Sequence, residues 1–252
     1  MIKNILLTIQ YDGTRYSGWQ KQGNTENTIQ GKLESILTKL CSSPVEIHGA
    51  GRTDAGVHAL CQQANFHIET TLTSTQIMDY INQFLPSDIG VISAQEVPHR
   101  FHSRLNAIKK TYRYIIQTGN APDVFYEKFS YRHIEPLIIE NMIQSSKYLL
   151  GTHDFKSFTD LKKTKKSTVR EIENIKIYKD ENRIILDITA TGFLYHMARI
   201  IAGTLIKVGE GEIAPEDIIE ILESKQRTLS GPLAPSKGLM LMKVYYQDIS
   251  QI

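Results

Sequence analysis

Residues 48–69 read HGAGRTDAGVHALCQQANFHIE, and this stretch joins a glycine-rich loop to a segment with the character of a strand. Three glycines and two alanines lie around Arg52 and Asp54. Small residues allow the backbone to turn tightly and let another molecule approach closely. The stretch therefore predicts an accessible functional loop that is followed by a β-strand.

The first half of the chain shows alternating strand and helix patterns around this loop. Ile29, Leu33, Ile36, Leu37 and Leu40 recur at helical spacing and predict a helix over residues 28–40. A second helix is predicted over residues 74–84. The predicted strands of this half cover residues 2–11, 45–48, 62–68 and 89–97.

The second half repeats this order of elements without repeating the sequence. Tyr112 and Tyr114 alternate with Arg113 as in a strand. Pro136 suits the first position of a helix, and Gly151 suits the position just after its end. We predict strands within residues 107–119, 171–178, 183–190 and 239–246, and helices over residues 136–150, 193–208 and 215–223.

The repeated order of elements indicates two α+β halves rather than one continuous domain. We expect an N-terminal half over residues 1–104, which contains the loop of Asp54, and a C-terminal half over residues 105–252. Halves of this kind usually pack edge to edge and leave a cleft between them.

Composition restricts the class of protein. The chain has 252 residues, of which 41% are hydrophobic, so it can bury a core without disulfide bonds. Its two cysteines, Cys41 and Cys61, favour a reducing, cytoplasmic compartment. The apolar run at residues 5–9 is too short for a signal peptide, and the run at residues 200–208 is too short to cross a membrane.

The net charge of +2 does not by itself indicate a nucleic-acid partner, but the distribution of charge does. No acidic residue occurs between Glu96 and Asp123. This segment mixes basic and aromatic side chains, as in proteins that bind phosphates and stack bases: Arg100, Phe101, Arg104, Lys109, Lys110, Tyr112, Arg113 and Tyr114. A second basic cluster, residues 162–170, is by itself more typical of a solvated surface loop.

Other interpretations of the glycine-rich loop fit the sequence less well. A dinucleotide site needs a glycine where Asp54 stands, and the carboxylate would repel a phosphate. His48, His58, Cys61 and His67 match no closed zinc pattern, so we expect no metal. Glycoside hydrolysis usually needs two carboxylates, and this motif has one. Asp54 could also simply cap a turn.

Several segments, in their order along the chain, resemble the tRNA pseudouridine synthases of the TruA type. The similarity covers nearly the whole sequence. The segments are YDGTRYSGWQKQ (residues 11–22), TIQGKLE (28–34), GAGRTDAGVHAL (49–60), FHSRLNAIKKTYRY (101–114), GFLYHMARIIAGTLIKVG (192–209) and APSKGLMLMKVYY (234–246).

The resemblance implies a fold and an activity. It implies an α+β pseudouridine synthase fold, with two RRM-like or ferredoxin-like halves whose antiparallel sheets lie side by side around a central cleft. It also implies an isomerase that converts uridine to pseudouridine at positions 38, 39 and 40 of the tRNA anticodon stem-loop. No cofactor and no membrane are implied, and the expected partners are tRNA and a second copy of the chain.

The resemblance also assigns roles to individual residues. Asp54 corresponds to the essential aspartate, Tyr112 to the active-site tyrosine, Arg199 to the arginine that pairs with the aspartate, and Arg52 to the arginine that displaces the target base. We further expect RNA contacts from Arg104, Lys109, Lys110, Arg170 and the ring of Tyr112. Ser103, Leu105 and Ala198 depart from the family pattern without touching the proposed chemistry.

The residue types suit this chemistry. A single ionised carboxylate can attack the sugar or the base, or can remove a sugar proton, and the sequence leaves these alternatives open. A buried carboxylate needs a counter-charge to stay ionised, which Arg199 would supply. Tyr112 could stack on the extruded uracil, a contact worth about 1–3 kcal/mol. We expect Trp19, Phe66 and Tyr195 to pack in the core.

Two other functions share part of this pattern. A non-catalytic RNA-binding protein would use the basic segment and its tyrosines, but it would not need glycines around Arg52 and Asp54. An enzyme acting on free nucleosides would not need the basic clusters.

Overall fold

The computed structural model describes residues 2–162 and 167–249. The chain forms two compact units, a first unit of Met1–Ile108 with Leu241–Ile252, and a second unit of Lys109–Met240. The division into halves at residues 104 and 105 stays a prediction. The first compact unit extends to Ile108 and also takes in most of the last strand.

Helices and strands occur in both units. The helices are α1 (Ile29–Cys41), α2 (Ser74–Phe84), α3 (Ile139–Tyr148), α4 (Met197–Gly209) and α5 (Asp217–Ser224). The strands are β1 (Ile2–Tyr11), β2 (His48–Gly49), β3 (His58–Glu69), β4 (Ile89–Val97), β5 (Ala107–Thr118), β6 (Tyr131–His133), β7 (Gly151–Asp154), β8 (Val169–Asp180), β9 (Arg183–Ala190) and β10 (Leu239–Tyr246). Of the helices in the described residues, none has the length and apolar character that crossing a membrane requires.

The first unit contains an antiparallel sheet in which β1 lies between β4 and β3. Ile5 of β1 is opposite Phe66 of β3, and both side chains are fully buried. The short β2 also pairs with β3, and β10 follows β3 in strand order. Helices α1 and α2 contact each other and contribute buried Leu33 and Ile77 to the core of the unit.

The second unit contains an antiparallel sheet with the strand order β5-β9-β8-β7, and β6 pairs in parallel with β5. Tyr114 is opposite Leu186, and both side chains are fully buried. Helices α3 and α4 contact each other. Antiparallel pairing in both units, together with separate helices, confirms the predicted α+β fold class.

Several predicted elements are confirmed residue for residue, and their bounds are Ile2–Tyr11, Ser74–Phe84, Ile89–Val97, Arg183–Ala190 and Leu239–Tyr246. Local chemistry explains the start of α2. The Thr73 hydroxyl accepts a hydrogen bond from the Gln76 backbone N–H at 3.2 Å, and the Gln76 side chain accepts one from the Thr73 N–H at 2.9 Å. This reciprocal pair satisfies two N–H groups that a helix start leaves unpaired.

Other predicted bounds are wrong by several residues. The strand predicted over residues 45–48 is reduced to His48–Gly49, although Val45 and Ile47 are buried. The helix predicted from residue 136 begins at Ile139, after an extended Ile138. The helix predicted from residue 193 begins at Met197, because His196 has a φ of 64°, a left-handed conformation that a continuous helix excludes.

The expected core aromatics divide into two groups. Trp19 and Phe66 are 3% and 0% exposed, which confirms their assignment to the core. The assignment of Tyr195 is wrong, since its side chain is 50% exposed and its ring stacks on His196 at a centroid distance of 3.6 Å. The irregular backbone before α4 turns Tyr195 outward, whereas the helical pattern had placed it on a helix.

Candidate functional site

The loop that carries Asp54 is a tight turn. The Val57 backbone N–H donates to the Asp54 carbonyl at 3.1 Å, and Gly56 has a φ of 77°. A turn with positive φ at its third residue favours glycine, which explains Gly56. Thr53 is buried, Asp54 is half-buried and Arg52 is exposed. The backbone therefore fixes the turn internally and directs Arg52 toward solvent.

Residues 13–19 hold this turn from a distant part of the sequence. The Trp19 N–H donates to the Thr53 carbonyl at 3.0 Å. Gly18 has a φ of 95°, and a Cβ there would lie 2.6 Å from the Thr53 oxygen. A Cβ on Gly13 would lie 2.0 Å from the Val57 oxygen. The two glycines permit a backbone approach that any side chain would block.

Two buried aromatic residues pack around the same turn. A Cβ on Gly49 would lie 2.5 Å from the Trp19 ring, so the ring rests directly on the backbone at Gly49. The Tyr11 hydroxyl and the Thr53 hydroxyl are hydrogen-bonded at 2.8 Å. Burial raises the pKa of Tyr11 to about 12, and the bond to Thr53 opposes part of this rise. Thr53 is thus anchored through both backbone and side chain, between Arg52 and Asp54.

Ser103, the residue before Arg104, is hydrogen-bonded to the start of the loop that carries Asp54. The Ser103 hydroxyl donates to the His48 carbonyl, and the Ser103 N–H donates to the Asn65 side chain at 2.8 Å. The Tyr246 hydroxyl donates to the Ser103 carbonyl at 2.7 Å. Ser103 is fully buried, whereas Arg104 is exposed. The departure from the family pattern at Ser103 therefore has a structural role in positioning this segment.

Tyr112 lies on β5 opposite Ile188 of β9 and is 7% exposed. Its ring contacts the edge of Phe193, with centroids 4.9 Å apart and planes at 76°. Aromatic pairs prefer such edge-to-face geometry. The contact connects the predicted active-site tyrosine to the segment that leads into α4.

The lysines and arginines of β5 are partly engaged within the second unit. Lys109 forms an ion pair with Glu173 at 2.7 Å. Arg113 donates two hydrogen bonds to Asp187, at 2.7 and 2.8 Å, and these bonds raise the pKa of Arg113. Lys110 is half-buried. These ion pairs make Lys109 and Arg113 less available to an RNA than the composition of the basic segment indicates. The composition does not reveal the pairs, because Glu173 and Asp187 lie on strands that are distant in sequence.

Arg199 lies on α4, and its guanidinium is fixed by a backbone oxygen. Its Nε donates to the Ala234 carbonyl at 2.8 Å, and the Ala234 N–H donates to the Arg199 carbonyl at 3.3 Å. A Cβ on Gly203 would lie 1.9 Å from the Pro232 oxygen, so the chain around Ala234 packs directly on the helix. The hydrogen bond through Nε therefore fixes the guanidinium of Arg199 to the segment that contains Ala234.

Tyr114 packs against the same C-terminal segment. Its hydroxyl donates to the Pro235 carbonyl at 2.9 Å, and a Cβ on Gly238 would lie 2.6 Å from its ring. Burial strongly raises the pKa of Tyr114, and the positive charge of Arg199 opposes this shift. Tyr114 and Arg199 are therefore electrostatic neighbours that share residues 231–238 as their support.

A charged cluster fixes the residue before α4. The Nδ1 of His196 lies 2.6 Å from one oxygen of Asp160, and Arg227 donates to the other oxygen at 2.8 Å. Burial by itself would raise the pKa of Asp160, but the hydrogen bonds from His196 and Arg227 lower it. The cluster stabilises the left-handed turn at His196 and thereby the direction of the helix that carries Arg199.

Arg170 is held by neighbouring carbonyl groups. It donates to the carbonyls of Ser167 and Val169, at 3.0 and 2.6 Å, and packs over Gly192. Burial lowers the pKa of Arg170. Lys162 is exposed. The other lysines of the second basic cluster, Lys163, Lys165 and Lys166, lie outside the described residues.

The structure places the predicted site residues in both units. The first unit contains Asp54, Arg52 and Arg104, and the second contains Lys109, Lys110, Tyr112, Arg170 and Arg199. The ion pair of Asp54 with Arg199 joins residues of different units and stays a prediction. Within residues 2–162 and 167–249, no group of three or more His, Cys, Asp or Glu side chains could hold a metal ion.

Sequence reasoning missed the residues that support the site. Gly13 and Gly18 pack against the carbonyls of Val57 and Thr53 in the loop of Asp54. Ser103 donates to the His48 carbonyl, and Thr204 accepts from the Gly231 N–H. The motifs assign no role to these four residues. The two glycines in residues 13–18 were a usable signal, because closely spaced glycines often indicate a close backbone approach. The contact made by Ser103 left no such signal.

Comparison with known proteins agrees with the motifs. The family model described as tRNA pseudouridine synthase matches residues 7–106 and 146–247. A protein of Bacillus thuringiensis subsp. konkukian, named tRNA pseudouridine synthase A 2, is 42% identical over 97% of this chain and 100% of its own length. A tRNA pseudouridine synthase A of Bacillus sp. KSM-64 is 45% identical over 95% of this chain and 98% of its own length.

Similarity to solved structures is weak. The structure titled "Crystal Structure of a Cbf5-Nop10-Gar1 Complex" is 10% identical, with a TM-score of 0.39, over 96% of this chain and 50% of that one. This score is too low to support a conclusion about function. Membership rests instead on the family model and on relatives that are more than 40% identical over nearly their whole length. The chain belongs to the tRNA pseudouridine synthase family.

Proposed function

We propose that this protein isomerises uridine to pseudouridine in tRNA, with Asp54 as the catalytic carboxylate. The supporting observation is the turn at Asp54, which Gly13, Gly18 and Gly56 hold in a conformation that side chains would prevent. A carboxylate that merely capped a surface turn would not need support from residues about 40 positions earlier in the chain.

The reaction needs only acid, base and nucleophilic groups. The bond between C1′ and N1 breaks, the uracil rotates, and a bond between C1′ and C5 forms. The proton on C5 leaves and N1 gains a proton, so atoms and electrons balance without an oxidant or a reductant. Asp54 attacks the sugar or the base, or removes a sugar proton.

The other assigned residues prepare the uridine for Asp54. A uridine in a stem has to leave the base stack, which costs a few kcal/mol. The ring of Tyr112 would stack on the extruded uracil, and Arg52, which is exposed beside Asp54, would fill the vacated position or contact a phosphate. Arg199 would pair with Asp54 and keep its carboxylate ionised.

The proposed substrate position is the anticodon stem-loop, at uridines 38, 39 and 40, and the proposed assembly is a cytoplasmic homodimer that holds tRNA. The motifs around Asp54, Tyr112 and Arg199 support this finer assignment, since they follow the pattern of the TruA type. Arg104, Lys109, Lys110 and Arg170 are the proposed contacts to the rest of the RNA.

Tritium release from tRNA labelled at uracil C5 tests the activity directly. We expect release by the natural sequence and a loss of at least about a thousandfold for Asp54→Asn, the scale of removing an essential catalytic group. Asp79→Asn is the matched control, because Asp79 is exposed on α2 and the change in charge is identical. Mapping pseudouridine in a transcript with uridine at positions 38–40 tests the proposed target.

The same assay distinguishes the alternative functions. Binding of tRNA without tritium release would favour a non-catalytic RNA-binding protein. Turnover of free uridine at a rate comparable to that of tRNA would favour a nucleoside enzyme. Undiminished release by Asp54→Asn would contradict the assignment of the catalytic carboxylate.

A further inference from the structure

The first unit contains a groove that the proposed chemistry does not use. Its volume is about 500 Å³, within the roughly 300–1,000 Å³ of ligand sites in proteins. The lining mixes cations, an amide and apolar side chains: Arg15, Tyr16, Asn27, Lys32, Phe84, Leu85 and Pro86. This mixture suits a ligand that has both a phosphate and a flat ring.

The charge at the groove is positive despite a nearby carboxylate. Nε and Nη2 of Arg15 donate to Asp88 at 3.0 and 2.5 Å, and the Tyr16 hydroxyl donates to the other Asp88 oxygen at 2.6 Å. Burial by itself would raise the pKa of Asp88, but these bonds lower it. Asp88 is therefore balanced by Arg15, and Lys32 contributes the remaining positive charge. The Arg15 side chain is 70% exposed and within reach of a ligand.

The apolar wall of the groove presents a ring to solvent. Phe84, the last residue of α2, is 54% exposed. Its ring is held by Tyr80, with centroids 4.8 Å apart and planes at 55°. An exposed aromatic ring beside cations is the arrangement on which single-stranded bases stack.

The groove is connected to the turn of Asp54 through the backbone. The Gly56 N–H donates to the Tyr16 carbonyl at 3.3 Å, and the Ser17 N–H donates to the Asn27 carbonyl at 2.9 Å. The Asn27 side chain donates to the Arg15 carbonyl. Arg15 and Tyr16 therefore line one wall of the groove, and Tyr16 also supports the turn.

We infer that this groove binds one unpaired nucleotide of the substrate RNA, with its phosphate at Lys32 and Arg15 and its base on Phe84. The inference rests on the proposed function and adds a second RNA contact to it. An RNA is favoured over a free nucleotide because the groove is open and its wall is continuous with the turn that meets the substrate uridine.

RNA binding by the catalytically inactive Asp54→Asn protein isolates this contact from turnover. Lys32→Gln, made in that protein, should raise the Kd for transcribed tRNA severalfold at moderate salt. It should also flatten the slope of log K against log salt by about 0.7, the value for one phosphate of a single strand. Lys39→Gln is the matched control, since Lys39 is an exposed lysine on the same helix and does not line the groove.

Phe84→Leu should produce a different signature. It keeps an apolar side chain but removes the ring, so the Kd should rise roughly fivefold or more while the salt slope stays unchanged. Phe84 is exposed, so the variant should fold, and thermal unfolding of each variant verifies this. Equal Kd values and equal slopes for parent, Lys32→Gln and Phe84→Leu would overturn the inference.

Two further measurements, binding of uridine 5′-monophosphate and tritium release, separate failure of the inference from failure of the proposed function. If uridine 5′-monophosphate binds the parent protein, Lys32→Gln abolishes that binding, and tRNA affinity does not change, the occupant is a free nucleotide and the inference is wrong. If the natural sequence releases tritium while both variants bind tRNA normally, only the inference fails. If the natural sequence neither binds tRNA nor releases tritium, the proposed function fails with it.

Discussion

Gly18 supports the Asp54 turn although the two residues are far apart in sequence. Gly18→Ala would force a side chain onto a residue with positive φ, at a cost of about 1 kcal/mol, and would push its Cβ into the Thr53 carbonyl. We expect tritium release to fall at least about tenfold, because small displacements of a catalytic group are costly. Gly23→Ala is the control, since a Cβ at Gly23 would meet no atom within 4 Å. Equal losses in both variants would contradict this account.

Two substitutions of Tyr112 distinguish the contribution of its ring from that of its hydroxyl. If the ring stacks on uracil, Tyr112→Phe should bind tRNA as tightly as the natural sequence, whereas Tyr112→Ala should bind at least about fivefold more weakly. Tritium release by Tyr112→Phe then measures what the hydroxyl adds to turnover. Equal affinity of the Phe and Ala variants would refute stacking.

Arg199 combines an anchor with a proposed counter-charge. Lysine keeps the charge but has no Nε–H to donate to Ala234, and it lacks the planar fork of arginine. We therefore expect Arg199→Lys to lose most of the tritium release that Arg199→Ala loses, on the order of a hundredfold or more. Near-normal release by either variant would overturn the assigned role. Arg132→Lys, at an exposed hydrogen bond of the same unit, serves as control.

At the scale of elements, the contact between α4 and residues 231–238 depends on Thr204. Its hydroxyl accepts from the Gly231 N–H at 2.9 Å and donates to the Ile200 carbonyl at 2.8 Å. Thr204→Val would leave a buried N–H unsatisfied, so the free energy of unfolding should fall by about 1–3 kcal/mol. Turnover should fall too, because Arg199 is anchored on the same segment.

Thr204→Ser is the informative companion to Thr204→Val. It keeps the hydroxyl and removes only a methyl group, so it should restore most of the turnover even if some stability is lost. Denaturant unfolding and tritium release, measured on both variants, separate the two effects. If Ser and Val variants lose turnover equally, the hydroxyl does not position Arg199.

The charged cluster before α4 predicts a dependence of stability on pH. In the folded protein the pKa of Asp160 lies below its usual 3.8, so its stabilising contribution is present above that value and is lost as pH falls through the lowered pKa. Asp160→Asn should therefore lower the free energy of unfolding by about 1–2 kcal/mol at pH 7. The difference from the natural sequence should shrink below about pH 4. A constant difference across pH would exclude this explanation.

Elements with strong local signals could be predicted from the sequence, and those set by distant contacts could not. The capping pair of Thr73 and Gln76 is visible within four positions, and α2 was predicted residue for residue. The start of α4 depends on Asp160 and Arg227, which lie far from His196 in sequence, so the helical pattern extended the prediction backward to residue 193.

The same distinction applies to the site. Asp54, Tyr112 and Arg199 were identified through motifs, because chemistry restricts which residue types can occupy such positions. Arg113 was grouped with basic residues that could meet RNA, yet it pairs with Asp187 across the β5–β9 ladder. Pairing between strands determines whether a basic side chain is available, and strand order is not contained in local sequence.

At the scale of the whole molecule, RNA binding should depend strongly on salt. If Arg104, Lys110 and Arg170 each neutralise a phosphate of a duplex, log K should fall by about 0.9 per contact for each unit of log salt. Changing one of these residues to glutamine should reduce the magnitude of the slope by about 0.9. A flat salt response would contradict RNA binding.

A molar mass of twice the monomer mass, measured by light scattering, would support the proposed homodimer.

The first unit contains both ends of the described chain, and this arrangement affects synthesis on the ribosome. Strand β10 stands next to β3 in strand order, and Tyr246 donates to the carbonyl of Ser103. A nascent polypeptide can therefore complete the scaffold around Asp54 only after residue 246 has been translated and has left the exit tunnel. A polypeptide that terminates before residue 239 lacks this strand, so it should not modify RNA.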